Sequence, residues 1–426
     1  MISDRIFVYL QLPGSLEVVT AAYYRLEPGD GVPKGTFGYG RSYLARADAV
    51  PLEPFELPLG SRKFTTVKLK GIFGALRDAL PDAWGRRVIE RELGRAGLDE
   101  ADLLLHSPDD RAGALSFGLG EKPPGPFRGY NKLIQLDALL ALAERVMNDE
   151  PAAAEDPERA QVERLLRPGT SVGGARPKNV VEDGDGLWIA KFPDRGDRWS
   201  NARVEHSMLR LARECGITSA ESRVVSVGVG AGDVVLVKRF DRQRVKGGYL
   251  RHRMVSGLTV LGADDSAQSR DGWSYLLLAD ELRRRSPADV VELYRRMVFN
   301  ALISNTDDHP RNHALIAPER DFRLAPAYDL TPNPLISAEK RDLAMQIGDF
   351  NRYANRTNLL SAHARFKLSL DEATAIVDHI QATVRARWYA VLRESGTSEA
   401  DCERVSGAFD YPGFELDPKV VLVSLH

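Results

Sequence analysis

The chain has 426 residues, with 60 acidic and 58 basic side chains and a formal net charge of −2. This balance gives no overall electrostatic reason to expect binding to nucleic acid or to a membrane surface. Apolar residues make up 43% and charged residues 28% of the chain, as in soluble globular proteins. The length predicts two or three packed lobes, because single hydrophobic cores rarely grow to this size.

Cysteine usage and hydrophobic patterning narrow the class of protein further. Cys215 and Cys402 are the only cysteines, which argues against a disulfide framework and a cysteine-based metal site. The N-terminus lacks the charged start and long apolar core of a signal peptide. No apolar run reaches the roughly 18 residues that a membrane helix needs. We therefore expect a cytoplasmic protein without a membrane segment.

The first third of the chain predicts a small β-rich subdomain followed by helices. Apolar runs at 6–10, 16–19 and 37–39 alternate with turn residues, a pattern typical of an antiparallel sheet. Helical periodicity follows over 73–95, and the proline-containing stretch 120–129 is a predicted connector. A further apolar stripe at helical spacing over 134–146 indicates a core helix.

A glycine-rich loop at 169–175 opens the middle of the chain. It lacks the Gly-Lys-Ser/Thr ending of a P-loop, and predicted strands at 179–182 and 187–192 follow it. A loop between strands whose backbone N–H groups cover phosphates is the arrangement found in protein kinases. Taken alone, such a loop is more commonly an ordinary surface loop.

A lysine and an acid follow this loop in the order that kinases use. Lys191 ends the second of these strands, and Glu205 lies within a predicted helix at 201–213. In a kinase the lysine contacts the α- and β-phosphates and the acid holds it in place. The alternative is a strand-end lysine with its ammonium group in water. Two more strands are predicted near 224–229 and 234–239.

From about residue 288 the pattern becomes mainly helical, and it contains the most informative motif of the chain. Asp307 and Asn312 have the Asp-x-x-x-x-Asn spacing of a kinase catalytic loop, where the Asp orients and deprotonates a hydroxyl and the Asn holds magnesium. Asp329 follows as a second acidic ligand. Both residue types also favour turns, so the motif alone would be weak. Its position after the glycine-rich loop and Lys191 gives it weight.

Two histidines in this loop raise the alternative of a zinc site. His309 and His313 are spaced i, i+4, but Pro310 makes a helix across them improbable and the chain has no His-Glu-x-x-His motif. We expect His309 to pack in a nucleotide site instead. A capping box at Ser369 and Glu372 predicts one more helix after the loop.

Taken in order, these segments resemble those of HipA-type serine/threonine kinase toxins. The resemblance rests on the segments 171–178, 190–193, 237–242, 305–312 and 328–330, and on Leu80-Pro81-Asp82-Ala83-Trp84-Gly85 in the N-terminal subdomain. It implies a bilobal α+β fold distantly like eukaryotic protein kinases, with an extra N-terminal β-rich subdomain. The implied parts are an N-terminal subdomain at 1–125, a nucleotide-binding lobe at 126–245 and a helical lobe at 246–426.

The resemblance also implies Mg-ATP as cofactor and a set of site residues. Asp307 and Lys191 would be catalytic, and Asn312 and Asp329 would bind Mg²⁺. The implied nucleotide contacts are Ala175, Arg176, Lys178, Lys191, Lys238, Phe240, His309, Asn312 and Asp329.

Its implied partners are a helix-turn-helix antitoxin of the HipB type, operator DNA through that antitoxin, and a protein substrate such as an aminoacyl-tRNA synthetase. Family members also phosphorylate themselves on a serine of the glycine-rich loop, where the added charge competes poorly with ATP phosphates. Here Ser171 is the candidate and Thr170 the second choice, while the common second serine is replaced by Gly173. Ser171 could equally serve only to hydrogen-bond the loop.

Two other functions stay open from the sequence. Kinase-like folds also phosphorylate small molecules such as antibiotics and sugars, and a non-catalytic module could bind antitoxin or DNA. The joint presence of Lys191, Asp307, Asn312 and Asp329 argues against a non-catalytic module. The near-neutral charge argues against direct DNA binding.

Overall fold

The computed structural model describes residues 5–29, 31–125, 130–148, 176–228, 232–266, 268 and 270–418. The chain divides into two compact units. The first comprises Met1–Asp194, Ser226–Val255 and Ile316–Asp321, and the second comprises Arg195–Val225, Ser256–Leu315 and Phe322–His426. The three-part division expected from the sequence stays a prediction. The glycine-rich loop at 169–175, with Ser171 and Ala175, lies outside the described residues.

The described ranges contain both strands and helices. The strands are β1 (Ile6–Gln11), β2 (Val18–Glu27), β3 (Lys34–Tyr39), β4 (Phe64–Thr66), β5 (Leu115–Gly118), β6 (Asn131–Lys132), β7 (Lys178–Asp183), β8 (Gly186–Lys191), β9 (Ser222–Ser226), β10 (Asp233–Lys238), β11 (Arg242–Val245), β12 (Gly248–Arg251), β13 (Arg253–Ser256), β14 (Ala314–Ala317) and β15 (Arg323–Leu324). The α-helices are α1 (Arg41–Leu44), α2 (Gly74–Asp78), α3 (Ala83–Leu93), α4 (Glu100–His106), α5 (Leu136–Met147), α6 (Asn201–Glu214), α7 (Gly257–Leu261), α8 (Tyr275–Arg285), α9 (Val290–Leu302), α10 (Arg356–Ser361), α11 (Leu370–Glu394) and α12 (Glu399–Ser406). Short 3-10 helices cover Lys68–Gly71, Leu133–Gln135, Pro287–Asp289, Pro310–Asn312, His363–Phe366 and Pro412–Phe414.

The first unit begins with the antiparallel sheet predicted from the alternating N-terminal pattern. Its strand order is β4-β3-β2-β1-β5. Aromatic side chains fill its inner face, where Phe37 packs edge-on against Tyr39 and Phe73 with ring centroids 5.0 and 6.0 Å apart. The buried Tyr24 hydroxyl donates to the carbonyl of Gly71 at 2.8 Å. This sheet therefore has a core of its own, as expected for a subdomain.

A second sheet of the first unit carries the predicted phosphate-binding strands. β7 and β8 form a hairpin in which Asp183 pairs with Gly186, and β10 pairs with the other edge of β8. The Asp183 carboxylate accepts from the backbone N–H of Asp185 and from the indole N–H of Trp188, at 2.8 and 2.9 Å. The Asp-Gly-Asp-Gly turn and the two flanking strands thus form where the sequence predicted them.

A buried ionic cluster joins the N-terminal subdomain to β10 and β11 within the first unit. Asp241 pairs with Arg239 and Arg242 at 2.8 and 2.6 Å, and its carboxylate also accepts from the backbone N–H of Gly113 at 2.9 Å. Burial alone would raise the pKa of Asp241, but the two guanidinium groups hold that pKa well below its usual range. Both arginines also donate to the carbonyl of Arg111. Since both guanidinium groups bind Asp241 and the Arg111 carbonyl, the cluster fixes the segment that follows β10.

A second buried ion pair links the motif at 80–85 to β7. The ammonium group of Lys178 contacts the carboxylate of Asp82, and the two side chains are only 1% and 3% exposed. The other oxygen of Asp82 caps α3 by accepting from the backbone N–H of Gly85 at 2.7 Å. The indole N–H of Trp84 donates to the carbonyl of Lys178 at 3.1 Å. The motif therefore holds the start of β7, directly after the glycine-rich loop.

The second unit is mainly helical, as predicted for the later part of the chain. α9 is buried along most of its length, and α11 packs against both α6 and α9. α11 opens with the predicted capping box, in which the Ser369 hydroxyl accepts from the Glu372 backbone N–H and Glu372 accepts from the Ser369 backbone N–H. None of the helices in the described ranges is long and apolar enough to cross a membrane.

Candidate active site

A buried helix delivers the predicted catalytic loop. α9 ends at Leu302, and Ser304 has a left-handed backbone with a φ of 54°. The Ser304 hydroxyl donates to the carbonyl of Ala408 at 2.6 Å and accepts from a guanidinium N–H of Arg341 at 2.5 Å. Residues other than glycine rarely adopt this conformation. We attribute the fixed turn at the end of α9 to these two buried contacts.

Asp308 anchors the loop from inside the second unit. Its side chain is fully buried, and its two oxygens contact the hydroxyl of Tyr275 at 2.6 Å and Nε2 of His313 at 3.0 Å. The same Tyr275 hydroxyl accepts from the amide N–H of Asn300 at 3.0 Å. Asn300 in turn accepts from the amide of Asn305 at 3.2 Å. This network ties the loop at both ends to the end of α9 and the start of α8.

Asp307, the neighbour of this anchor, is exposed instead. Partial desolvation raises the pKa of its carboxyl group, and the negative charges of Asp329 and Asp308 add to that rise. The His309 ring and the Arg270 guanidinium oppose it. The amide N–H of Asn312 donates to the backbone carbonyl of Asp307 at 2.9 Å. Two residues that the sequence selected by spacing are therefore in direct contact, and the Asp307 side chain remains exposed.

The segment around Asp329 is tied to the same loop. The hydroxyl of Tyr328 donates to the carbonyl of Arg311 at 2.6 Å. Asn333 donates from its backbone to the Ser304 carbonyl at 3.1 Å and from its amide to the Thr306 hydroxyl at 3.0 Å. Asp329 lies between Tyr328 and Asn333 in the chain, with a left-handed backbone at a φ of 57°. The structure thus brings Asp307, Asn312 and Asp329 together in one part of the second unit.

The donor set at this place suits a magnesium ion with bound waters. Asn312 uses its amide N–H on Asp307, which leaves its amide oxygen as a ligand, and Asp329 offers a carboxylate. Magnesium usually takes one or two such oxygens from the protein and retains waters or phosphate oxygens. Across the described ranges, no three His, Cys, Asp or Glu side chains form a cluster that could hold a metal ion. An ion here would therefore need ligands from a bound phosphate or water.

His309 has the environment expected for a residue that packs against a ligand. Its ring meets the edge of Trp273 at a centroid distance of 6.3 Å. Its buried Nδ1 has no hydrogen-bond partner in the part of the chain that the structure describes. Unpartnered buried polar atoms are uncommon in folded proteins, so this atom is available to a bound molecule. His313, the other histidine of the pair, is engaged by Asp308.

The lysines predicted to contact nucleotide lie in the second sheet of the first unit. Lys178 and Lys191 pair directly across β7 and β8, so their side chains share one face. Lys191 is half-buried, whereas Lys178 is buried against Asp82. The ammonium group of Lys238 lies on the opposite face, 5.4 Å from the centre of the Trp188 ring. Arg176 and Phe240 are half-buried, two residues before β7 and two residues after β10.

The sequence reasoning missed several residues around the catalytic loop. Tyr275 and Asn300 support Asp308, while Arg270 and Trp273 flank Asp307 and His309. No local motif marks them, since they meet the loop only through the tertiary fold. Asp82 lies in one of the segments that carry the family resemblance, but the sequence assigns it no role.

Comparison with known proteins shows the family. The model of the HipA-like C-terminal domain matches residues 170–388, just over half of the chain, and the HipA N-terminal domain matches residues 25–118. Across 227 residues the chain is 31% identical to "Putative kinase Y4dM" of Sinorhizobium fredii, a match that covers 49% of this chain and about half, 53%, of that relative. It is 25% identical to "Putative kinase Y4mE" of the same organism over 336 residues, which cover 73% and 75% of the two chains.

Solved structures show the same fold. A chain of the Shewanella oneidensis MR-1 toxin–antitoxin complex of HipA, HipB and operator DNA superposes with a TM-score of 0.67 at 19% identity. The match covers 98% of this chain and 96% of that one. The predicted fold class, a bilobal kinase-like α+β fold with an additional N-terminal β-rich subdomain, is confirmed. The chain belongs to the HipA family.

Proposed function

We propose that this protein is a Mg-ATP-dependent serine/threonine protein kinase that acts as the toxin of a toxin–antitoxin pair. Membership of the HipA family and the relatives named as kinases support this proposal. The observation that carries it is the catalytic loop. An exposed carboxylate, Asp307, is held from behind by Asn312 and by the buried Asp308 network, with Asp329 beside it.

Each of these residues has a definite task in this proposal. Bound Mg-ATP supplies the transferable phosphoryl group and a cation that offsets the charge developing on it. The Asp307 carboxylate orients the acceptor hydroxyl and takes its proton. Its raised pKa makes it a stronger base than an ordinary aspartate, which favours proton transfer near neutral pH. Asn312 and Asp329 hold magnesium through their oxygens, and Lys191 contacts the phosphates.

The remaining nucleotide contacts follow from the family resemblance and from position. His309 offers its unpartnered ring nitrogen, and the backbone from Lys238 to Phe240 meets the base. Ala175 and Arg176 contact the phosphates of the bound nucleotide. We assign Lys178 differently from the sequence expectation, because its ammonium group already pairs with Asp82 in a buried site. Its proposed task is to hold the start of β7.

The proposed partners are those of the family. They are a HipB-type helix-turn-helix antitoxin, operator DNA through that antitoxin, and a protein substrate from translation such as an aminoacyl-tRNA synthetase. The related Shewanella complex contains HipA, HipB and operator DNA. Self-phosphorylation on Ser171 is part of the proposal, although that residue lies outside the described ranges.

Incubation of the purified protein with Mg-ATP tests the proposal, with intact mass and phosphopeptides as readouts. The variants are wild type, Asp307→Asn, and Asp371→Asn as a matched control at an exposed site in the first turn of α11. We expect one added phosphate on Ser171 in wild type and control, and none in Asp307→Asn. Calorimetry should show that all three bind nucleotide.

The possible results separate the competing functions. If the wild-type protein neither incorporates phosphate nor binds nucleotide, the kinase assignment is refuted and a binding module is favoured. Turnover retained in Asp307→Asn would refute the assignment of the base. Transfer to antibiotics or sugars, with no transfer to any protein of a cell extract, would replace the protein kinase by a small-molecule phosphotransferase.

A further inference from the structure

A cleft of about 890 Å³ opens in the second unit beside the catalytic loop. Its walls come from two parts of the chain, residues 268 and 270–277 on one side and 342–352 on the other, and include Arg270, Trp273, Ser274, Gln346, Asp349 and Arg352. The volume lies within the range of about 300–1,000 Å³ found for ligand pockets. None of the roles assigned above uses this cleft.

The two walls are fixed to each other. The backbone N–H of Gln346 donates to the carbonyl of Trp273 at 2.8 Å, and the N–H of Tyr275 donates to the carbonyl of Gln346 at 2.9 Å. Ser274 and Gln346 thereby form a short parallel bridge at the floor. A binding surface built on such paired backbone is preorganised, so a ligand need not order it on binding.

The far wall is a tight turn that Asn358 supports. The amide of Asn358 accepts from the backbone N–H of Phe350 at 2.8 Å and donates to the carbonyl of Asn351 at 3.1 Å. Gly348 packs so closely that an added Cβ would lie 2.2 Å from the Asn358 carbonyl oxygen. The hydroxyl of Ser361 accepts from the Asp349 backbone N–H at 2.9 Å. The turn therefore presents the Asp349 and Arg352 side chains from a fixed backbone.

Three interactions link the near end of the cleft to the catalytic loop. The Trp273 ring lies against His309, with 6.3 Å between ring centroids. The Arg270 guanidinium stacks on Trp273 at 5.9 Å and lies close enough to Asp307 to attract its carboxylate. Tyr275, whose backbone bonds the floor, donates its hydroxyl to Asp308. A molecule in the cleft would thus have one end beside the proposed base.

The chemistry of the walls favours a segment of polypeptide over a small molecule. Arginines and aspartates both line the cleft, with Arg270 and Arg352 against Asp271, Asp342 and Asp349. Several of these residues, among them Asp271 and Asp349, are exposed, so the cleft is open along its length. Pockets for small molecules usually bury about 70–90% of the ligand surface. An open cleft with charges of both signs suits an extended chain whose side chains carry both signs.

We propose that this cleft binds the acceptor segment of the protein substrate, with Arg352 selecting an acidic residue and Asp349 a basic residue near the phosphorylated hydroxyl. The proposal rests on the kinase function proposed above and adds its specificity site. The near end lies beside Asp307 and the far end at the turn, so the selected residues flank the acceptor in an extended substrate chain.

An oriented peptide array tests this site. Each peptide carries a central serine or threonine, and every flanking position is fixed in turn to Asp, Lys or Ala. Phosphate transfer from radiolabelled Mg-ATP is the first readout, and retention of the protein on the same array without nucleotide is the second. The variants are Arg352→Glu and Asp349→Lys. Arg284→Glu on α8, with its side chain 71% exposed, is the matched control for charge reversal.

We expect Arg352→Glu to lower transfer to peptides with the selected acid about tenfold and to raise transfer to those with a base there. Asp349→Lys should have the reverse effect at a different position, while Arg284→Glu should match wild type. Nucleotide affinity should be unchanged in all variants, which also shows that they are folded.

The two readouts separate failure of the cleft from failure of the kinase. If the wild-type protein transfers phosphate but neither charge reversal alters its peptide selectivity, the proposed substrate site is wrong and the kinase function stands. If the protein binds the array in a way that the charge reversals alter, but transfers no phosphate, the substrate site is supported and the kinase function is refuted. If wild type shows neither transfer nor retention, both proposals are wrong.

Discussion

Replacing Asp82 by asparagine would test what the motif at 80–85 does in this protein. Asparagine caps helices about as well as aspartate, so the contact with the Gly85 N–H at the start of α3 should survive. What is lost is the negative charge beside Lys178, whose side chain is only 1% exposed. The substitution therefore isolates the buried ion pair from the helix cap.

The magnitude follows from the burial of both partners. Removing one member of a buried pair leaves the other charge without compensation and costs about 3–5 kcal/mol. For a unit of this size, each kcal/mol lowers the melting temperature by about 2–4 °C. We therefore expect Asp82→Asn to melt roughly 6–20 °C below wild type. Lys178→Met should lower the free energy of unfolding by up to about 1 kcal/mol less than Asp82→Asn does, because the N-terminus of α3 still stabilises the Asp82 carboxylate.

The double variant distinguishes a structural pair from a nucleotide contact. Asp82→Asn with Lys178→Met leaves no buried charge, so it should be less destabilised than the two single changes together, by about 2–3 kcal/mol. If Lys178 is structural, this variant should also bind Mg-ATP nearly as tightly as wild type. If Lys178 contacts phosphate, as the sequence predicted, nucleotide affinity should remain low although stability recovers.

Melting by circular dichroism and nucleotide calorimetry give these values. Asp99→Asn is the matched control, since Asp99 caps α4 through the Asp102 N–H at 2.7 Å in the same unit and is exposed. That change should shift the melting temperature by no more than about 2 °C. The reasoning is refuted if Asp82→Asn melts as the control does, or if the double variant loses the sum of both single effects.

Further predictions concern Lys191, the catalytic loop and the half-buried His206. Lys191→Ala should weaken nucleotide binding and lower the rate of transfer, measured by calorimetry and phosphate incorporation; unchanged values in both would exclude it as a phosphate contact. Tyr275→Phe removes a hydrogen bond to the buried Asp308 carboxylate and should cost about 1.5–3 kcal/mol in stability while leaving nucleotide affinity similar. Burial, reinforced by Arg210 and Arg213, lowers the pKa of His206 from 6.5 to about 4. His206 binds a proton more readily in the unfolded chain than in the folded one. Its contribution to the free energy of unfolding is therefore complete above about pH 6.5 and is lost as the pH falls towards 4. The full shift corresponds to about 3 kcal/mol, which solvent screening of this partly exposed ring reduces to about 1–2 kcal/mol. His206→Asn should remove that part of the pH dependence in melting curves recorded between pH 4 and pH 7.5, and an unchanged slope would contradict the shift.

Local signals predicted much of the fold. The β7–β8 hairpin follows from a turn sequence between two apolar runs, and α11 follows from Ser369 and Glu372 with a helical stripe behind them. In each case the interactions that define the element lie within a few residues along the chain. Such contacts can be recognised without knowing the tertiary structure.

The candidate site was only partly accessible in this way. Spacing selected Asp307 and Asn312 and placed Asp329 after them, and the structure brings all three together. Spacing could not identify Tyr275 as the partner of Asp308, since the two are 33 residues apart and no pattern connects them. It also could not reveal that Lys178 pairs with Asp82, 96 residues earlier. Partners of this kind depend on how the elements pack.

The two adjacent aspartates of the loop show why the unpredicted part matters for function. A base must hold its carboxylate toward the substrate, so that carboxylate cannot also fasten the loop. In this protein Asp308 anchors the loop through hydrogen bonds with Tyr275 and His313. Asn312 donates to the backbone carbonyl of Asp307 rather than to its side chain. The Asp307 carboxylate is left exposed and near Asp329, where the proposed kinase would hold its magnesium ion. In the proposed kinase Asp308 therefore positions the loop and Asp307 acts as the base. If the two roles were exchanged, both the anchor of the loop and the exposed base would be lost.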